Sequence, residues 1–393
     1  LIGFDQINST RMDGFMRRIL AISLALFLCV GFQVAHAAIE VTTPATHAVM
    51  MDAQTGDILF AKNPDGQMPT SSMSKTMTVY AVFKAIEEGR ISLEDTLKVS
   101  EKAWRKGGSK MFVEVNSNVK VGDLLKGVIV QSGNDATIVL AEGLAGSEET
   151  FAQSITQMAK DLGMQNTNFV NASGWPDDNH YSTARDLAIL AQHLVQDFPE
   201  YYKYFSMKEF TYNDIKQPNR NPLLYKNMGV DGIKTGHTEA GGYGLMASGE
   251  RNGRRLILVV NGMESAAQRA NESARLLEWG FNSFDRLTLF KKGDTVSEID
   301  IVFGQEKQLP VTVDQDVVET IYKPQKGDLK VTVQYQDPVY APVSEGDKVG
   351  VLKVMLPGSE EKSYDLVAKT GMRELGIFQK VMTKLTYMTL GKF

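Results

Sequence analysis

Residues 229–263, "GVDGIKTGHTEAGGYGLMASGERNGRRLILVVNGM", carry the reading that decides the fold. Three short blocks, "GVDGIKTGHT", "YGLMASGE" and "RRLILVVNGM", read as strands, and the last two meet at Glu250-Arg251-Asn252-Gly253. An Asn-Gly pair between such blocks favours a tight hairpin turn, because both residues tolerate positive φ. "SAAQRANESARLLEWGFN" then closes the unit as a helix. Upstream, "THAVMMDAQTGDILFAKN" sets two apolar runs around Gln54-Thr55-Gly56-Asp57, which predicts a second hairpin. Between hairpin and strands lies a mainly helical stretch from 71 to 205, where "GDLLKGVIV", "DATIVLAEGLA", "ETFAQSITQMAKDLG" and "STARDLAILAQHLVQDF" repeat apolar residues at helical spacing. A hairpin, a helical insertion, three strands and a closing helix make an α+β domain on an antiparallel sheet, expected over 38–288.

Beyond it the texture changes to short alternating segments such as "SEIDIVFG", "QLPVTVDQ", "DLKVTVQY" and "KVGVLKVML", separated by Gly, Pro and Asp. These predict a small all-β domain over 289–371, and no cluster of titratable residues in it resembles a site, so it reads as a spacer or docking module. In "MRELGIFQKVMTKLTYMTLGKF", residues 372–393, Leu375, Ile377, Phe378, Val381, Met382, Leu385, Met388 and Phe393 share one half of a helical wheel. Gln379, Lys380, Thr383 and Lys384 fall opposite. Such a helix packs on its own domain, pairs with a partner or lies in a membrane surface.

At the other end, Arg17 and Arg18 precede the apolar run "ILAISLALFLCVGF", which stops shortly before Ala35-His36-Ala37. A run this short reads as a secretory signal rather than a span, which needs about 20 residues. The expected signal peptide and upstream extension, residues 1–37, contain Cys29, the single cysteine of the 393 residues. An export signal on a chain then free of thiols suggests a bacterial envelope enzyme that relies on its core rather than on disulfides. The net charge of −5 gives no reason to expect nucleic acid. His47, His180, His193 and His237 stand singly without ligand spacing, so no metal site is expected.

"PTSSMSKTMTVY", residues 69–80, crowds three serines and three threonines around Lys75. A lysine activates a serine only when neutral, and at its ordinary pKa roughly one in a few thousand is neutral at pH 7. A Ser/Lys pair therefore needs burial or a second cation. On a helix both Ser71 and Ser72 share a face with Lys75, so spacing does not choose between them. Ser-x-x-Lys also recurs at Ser117–Lys120 and Ser359–Lys362. The order is more specific: Ser72-Met73-Ser74-Lys75, then Ser132-Gly133-Asn134, then Lys234-Thr235-Gly236 on an expected strand. These are the three signatures of penicillin-binding proteins and serine β-lactamases. A second Lys-Thr-Gly, 369–371, has no strand and hairpin after it and reads as coincidence.

From about residue 38 to 385 the chain resembles a low-molecular-mass penicillin-binding protein of the D-alanyl-D-alanine carboxypeptidase group with a C-terminal β-domain and amphipathic anchor. "SMSKTMTVY", "VIVQSGNDATIVLAE", "STARDLAIL", "QPNRNPLL" and "VDGIKTGHT" all carry the likeness. The resemblance implies a penicillin-binding-protein/serine β-lactamase-like transpeptidase fold, with helices on both faces of the antiparallel sheet. It selects Ser72 as nucleophile and leaves Ser71 and Ser74 as helix-start or packing residues. It implies that Lys75 takes the Ser72 proton, kept neutral by Lys234 and partial burial. Ser132 would relay a proton to the leaving amine, and Asn134 would orient Lys75 and the substrate amide. Lys234 and Thr235 would receive the terminal carboxylate, beside Gly236 and Thr238. The N–H groups of Ser72 and His237 would hold the oxyanion, and Arg269 would add charge. The implied substrate is the peptidoglycan stem pentapeptide, with β-lactams as covalent inhibitors and neither cofactor nor metal required.

The resemblance also implies that the terminal helix lies on the outer leaflet of the inner membrane, with Lys380, Lys384 and Lys392 toward the headgroups, on the periplasmic side. β-Lactamase or endopeptidase action is the alternative enzymatic reading. Against the first stand Gly133 and the lack of a Glu-x-x-Leu-Asn stretch between Ser132 and Lys234. A penicillin-binding scaffold is the non-enzymatic reading, and the sequence leaves homodimerisation open.

Overall fold

The computed structural model describes residues 41–356 and 360–390, so expectations resting on residues 1–37, Ser359, Lys392, Phe393 and the side chain of Met388 lie outside the described residues. Residues Val41–Ser283 form one compact unit, and the described residues from Phe284 onward form another.

The first unit opens with the expected hairpin, β1 (His47–Asp52) and β2 (Ile58–Lys62). A 3₁₀ turn, Ser71–Ser74, runs directly into α1 (Lys75–Glu87). Lys75 to Phe83 are all buried, because α1 is the central post around which other helices pack. β3 (Thr96–Lys98), α2 (Glu101–Arg105), β4 (Asn118–Lys120), α3 (Val121–Ile129), α4 (Asn134–Ala145) and α5 (Glu148–Asp161) follow. Ser100 and Ser147 accept the Ala103 and Thr150 amides and so start α2 and α5. In the same way Thr183 starts α6 (Ala184–Asp197), which α7 (Pro199–Tyr202) succeeds. Phe83 lies between Phe198 and Tyr201, with ring centroids 5.7 and 5.1 Å away. Burying such a side chain contributes roughly 1.5–3 kcal/mol.

After the small hairpin β5 (Glu209–Tyr212) and β6 (Ile215–Pro218), the three predicted strands appear as β7 (Val230–Thr238), β8 (Gly242–Arg251) and β9 (Arg254–Met263), closed by α8 (Ala266–Ser283). Asn252 and Gly253 take φ of 51° and 72°, as the tight β8–β9 turn requires. The sheet order is β2-β1-β9-β8-β7, antiparallel throughout. Ile257 and Val259 join the core beneath α1 and α6, while Met50 and Leu256 meet α8 at Gly280 on the other face. Helices cover both faces of an antiparallel sheet, as expected for this α+β fold.

The second unit is all-β up to its last helix: β10 (Phe284–Phe290), β11 (Thr295–Val302), β12 (Gln308–Val313), β13 (Val317–Tyr322), β14 (Lys330–Tyr335), β15 (Val339–Tyr340), β16 (Lys348–Met355) and β17 (Lys362–Ala368). The expected boundary at 288/289 falls inside β10, which pairs with β13 and so belongs with the strands that follow. Fully buried Glu319 accepts from Lys362 Nζ at 2.8 Å and Tyr364 Oη at 2.6 Å. α9 (Ile377–Leu390) ends the described chain, with Ile377 and Phe378 each 85% exposed.

Candidate active site

The 3₁₀ turn before α1 aims Ser72 and Lys75 at each other. Lys75 Nζ lies 2.9 Å from Ser72 Oγ and donates to the Ser173 carbonyl at 2.6 Å. The neighbouring serines point elsewhere. Ser71 Oγ meets Thr238 Oγ1 at 2.9 Å, tying the turn to β7, and Ser74 Oγ meets both Thr70 Oγ1 and His180 Nε2. Both serines stand at the start of α1, as expected, but neither hydroxyl caps the helix; buried, they tie distant segments together.

Two close backbone approaches explain glycines around this turn. A Cβ on Gly236 would sit 2.9 Å from the Thr70 carbonyl, so the third residue of Lys-Thr-Gly lets β7 lie against the turn. Gly174 has a φ of +74°, and a Cβ there would fall 1.7 Å from the Ser71 carbonyl.

Ser132 stands between α3 and α4 at a φ of 62°, buried, and its Oγ has no hydrogen-bond partner among the described residues. A left-handed non-glycine residue with an orphaned hydroxyl is the kind of strain that active sites hold. The turn is fixed from behind by Asp135, whose carboxylate accepts from the amides of Met111, Phe112, Val113 and Ala136. Asn134 donates from Nδ2 to the Gly107 carbonyl at 2.8 Å. The orientation of Lys75 expected of Asn134 comes instead from the Ser173 carbonyl, which reaches into the core where Lys75 is buried.

On β7, Lys234 is buried and donates to the Thr235 carbonyl at 3.1 Å, Thr235 is buried beside it, and His237 is exposed with its ring 3.9 Å from that of Tyr243. Arg269 on α8 holds its guanidinium 5.7 Å from the same Tyr243 ring, with Nε buried and unpaired.

Burial drives Lys75 down from the ordinary lysine range to about 7, with Arg220 and Lys106 lowering it further and Asp135 and Glu148 opposing them. The expected depressor was Lys234 with partial burial. Burial is instead complete and dominant, and the leading cation is Arg220. Lys234 is itself pushed well below its ordinary value, by burial first and then by Lys75, Arg220 and Arg269. The coupling between the two lysines appears in the lowering of Lys234 by Lys75, and Lys234 is not among the groups that lower Lys75. The cluster is net cationic and prepared for an anion.

Arg220 lies in "QPNRNPLL" and reaches Ser109 Oγ through Nη1. That stretch carries the family likeness, but nothing local in the sequence marks Arg220, Lys106 or Ser173 as part of the site. His180, read as a lone surface or packing residue, is buried and bonded to the nucleophile turn. The other motif copies stay apart. Lys120 pairs with Glu94 on an exposed edge, and Lys369 donates to Thr295 in the second unit. A cavity of about 260 Å³ opens beside Ser71, Gly174, Trp175, His180 and Thr238.

A family model described as D-alanyl-D-alanine carboxypeptidase, Peptidase_S11, matches residues 33–265, and one described as penicillin-binding protein 5, C-terminal domain, matches residues 284–374. The D-alanyl-D-alanine carboxypeptidase DacA of Haemophilus influenzae is 39% identical, covering 88% of this chain and 89% of that protein. DacC of Escherichia coli is 37% identical over 95% of this chain and 96% of its own length. Among solved structures, penicillin binding protein 5 from Haemophilus influenzae matches with a TM-score of 0.77 at 39% identity, covering 85% of this chain and all of that one.

Proposed function

Because the chain belongs to the D-alanyl-D-alanine carboxypeptidase family Peptidase_S11 and is a serine-type D-Ala-D-Ala carboxypeptidase of the cell wall, we propose that its reaction runs through an acyl-enzyme on Ser72. The observation that carries this is the Lys75 amine 2.9 Å from Ser72 Oγ, with a pKa brought to about 7. Near neutral pH about half of such lysines are free bases, close to the ideal for a general base.

Lys75 takes the Ser72 proton as Oγ attacks the carbonyl between the two terminal D-alanines. The N–H groups of Ser72 and His237 receive the developing oxyanion. Lys234 and Thr235 hold the substrate's terminal carboxylate beside Gly236, Arg269 adds charge, and Thr238 borders the cavity next to Ser71. As the carbon–nitrogen bond breaks, Ser132 gives its proton to the departing D-alanine amine and takes in exchange the proton Lys75 holds, which returns Lys75 to the free base. Asn134 orients the substrate amide. Water then cleaves the Ser72 ester, with Lys75 accepting the water's proton and returning it to the departing Ser72 Oγ. A β-lactam acylates Ser72 by the same attack and leaves slowly.

The test is mass spectrometry after incubation with a penicillin, alongside D-alanine release from a diacetyl-Lys-D-Ala-D-Ala peptide. The expected result is one adduct on the Ser72 peptide, absent in Ser72→Ala, and an acylation rate that rises with pH through about 7. An adduct elsewhere, or none, would refute the assignment.

The helix α9 is proposed to lie flat on the periplasmic surface of the inner membrane, the β-unit serving as spacer. The exposure of Ile377, Phe378 and Val381 supports this, with Lys380 and Lys384 on the polar side. No described helix is long and apolar enough to cross a membrane. Deleting residues 372–393 is expected to move the protein from the membrane pellet to the soluble fraction. A truncated protein that still sediments with membranes would exclude α9 as the anchor.

A further inference from the structure

His180 makes contacts that the reaction as written does not use. Its Nδ1 accepts from the Val170 amide at 3.2 Å, and its Nε2 lies 2.7 Å from Ser74 Oγ. An amide has only a proton to give, so Nδ1 carries none and Nε2–H donates to Ser74. Ser74 Oγ also bonds Thr70 Oγ1, where either hydroxyl can donate, which completes a chain from the Val170 amide to the residue preceding the nucleophile turn. Ser74 lies between Ser72 and Lys75, while Val170 opens the loop whose Ser173 carbonyl holds the Lys75 amine. The imidazole is 5% exposed and packs against Phe169, with ring centroids 5.4 Å apart.

We propose that His180, in its Nε2–H tautomer, is a positioning residue that locks the Ser173 loop to the Ser72–Lys75 turn and so aims the Lys75 lone pair at Ser72. A neutral lysine has two protons and one lone pair. Giving one proton to the Ser173 carbonyl leaves the lone pair free to face Ser72 Oγ, provided the carbonyl stays in place. Asn171 Oδ1 supports the loop internally, through the Ser173 and Trp175 amides, and Glu148 accepts from Ala172. Through the imidazole the loop is also fastened to the turn that carries the nucleophile, a link of 106 residues in sequence.

Two charged groups act on the imidazole. Asp177 favours its protonation and Lys75 opposes it, and burial outweighs both, bringing the pKa to about 4. The ring therefore stays neutral across the range in which Lys75 titrates. Around Lys75 itself stand Arg220, Lys106, Asp135 and Glu148, with Lys234 also coupled to it. Releasing the loop would admit water to Lys75 and raise its pKa, since burial is the largest cause of its depression.

This inference rests on Ser72 and Lys75 as nucleophile and base. The experiment measures penicillin acylation of the full chain against pH for the wild type, His180→Phe and His180→Gln, with KM for the D-Ala-D-Ala peptide. His180→Phe keeps the volume and loses both bonds. It is expected to acylate about 10- to 100-fold more slowly at pH 7, with the acid limb displaced upward from about 7 and KM within about twofold. Glutamine carries both a donor and an acceptor, so His180→Gln should recover most of the rate and the original limb. If His180→Phe does not fold, Ser74→Ala breaks the same link with little change of volume and should show the same displaced limb. An unmoved limb with a rate within threefold of the wild type, in whichever variant folds, overturns the proposal. Failure of the wild type to acylate at Ser72 would instead overturn the reading beneath it.

Discussion

A Lys75→Met protein is expected to acylate with penicillin roughly 10²–10⁴-fold more slowly than the wild type and yet to melt at a higher temperature. The rate loss follows from removing the only base within hydrogen-bond reach of Ser72 among the described residues, since a positioned general base contributes roughly 10²–10⁴-fold. The stability gain follows from the proton balance. Lys75 is fully buried and its folded pKa is about 7, against an ordinary value of 10.5. Between those values the unfolded chain binds more protons than the folded one, so stability rises with pH across that window, and the penalty is complete below about 7.

At roughly 1.4 kcal/mol per pKa unit the buried amine costs on the order of 5 kcal/mol below about pH 7, as an upper bound. Methionine removes that penalty but leaves the Ser173 carbonyl without its donor, which costs about 1–3 kcal/mol. A net gain of at most about 2–4 kcal/mol remains, a rise of several degrees for a unit of this size. Calorimetry at pH 6 and pH 10 checks the sign, because the advantage of methionine should shrink as the pH rises. A Lys75→Met protein that melts lower than wild type at pH 6 would refute the account. The wild type would thus carry a destabilised site in return for catalysis.

Gly174→Ala is expected to reduce acylation about 100-fold or more and to destabilise the fold. The added Cβ would fall 1.7 Å from the Ser71 carbonyl, a backbone atom in the turn that presents the nucleophile, at a φ of +74°. Relief requires the loop and the turn to separate by more than an ångström. That movement takes the Ser173 carbonyl, one residue away, off the Lys75 amine, and displacements of about 1 Å cost roughly 10²-fold in positioned reactions. Gly146→Ala supplies the control. Gly146 has a φ of +78° with nothing within 4 Å of its Cβ position, so only the left-handed strain, about 1 kcal/mol, should appear and the rate should not change. If the two variants behave alike, backbone conformation and not the close approach explains Gly174.

The sequence by itself determined the sheet, the helical insertion, the closing helix and the order of the three motifs. Each of these depends on signals a few residues long: alternation in "RRLILVVNGM", the Asn252-Gly253 turn, helical spacing in "STARDLAIL", and hydroxyl, amide and amine types at fixed separations. Tertiary structure decided which serine faces the base. Ser71 and Ser72 are equivalent by helical spacing, and only the approach of β7, which engages Ser71 through Thr238, leaves Ser72 opposite Lys75. Tertiary structure also decided what makes Lys75 a base. Its burial arises from helices packed around all sides of α1, and Arg220 reaches it from 145 residues further along the chain. The links to Ser173 and His180, each about a hundred residues away, leave no local trace, because a serine carbonyl or a lone histidine has no pattern until the loop closes on the turn. Local chemistry can name the reacting groups, but desolvation and the field of distant charges set their proton affinities, and both exist only once the chain is packed.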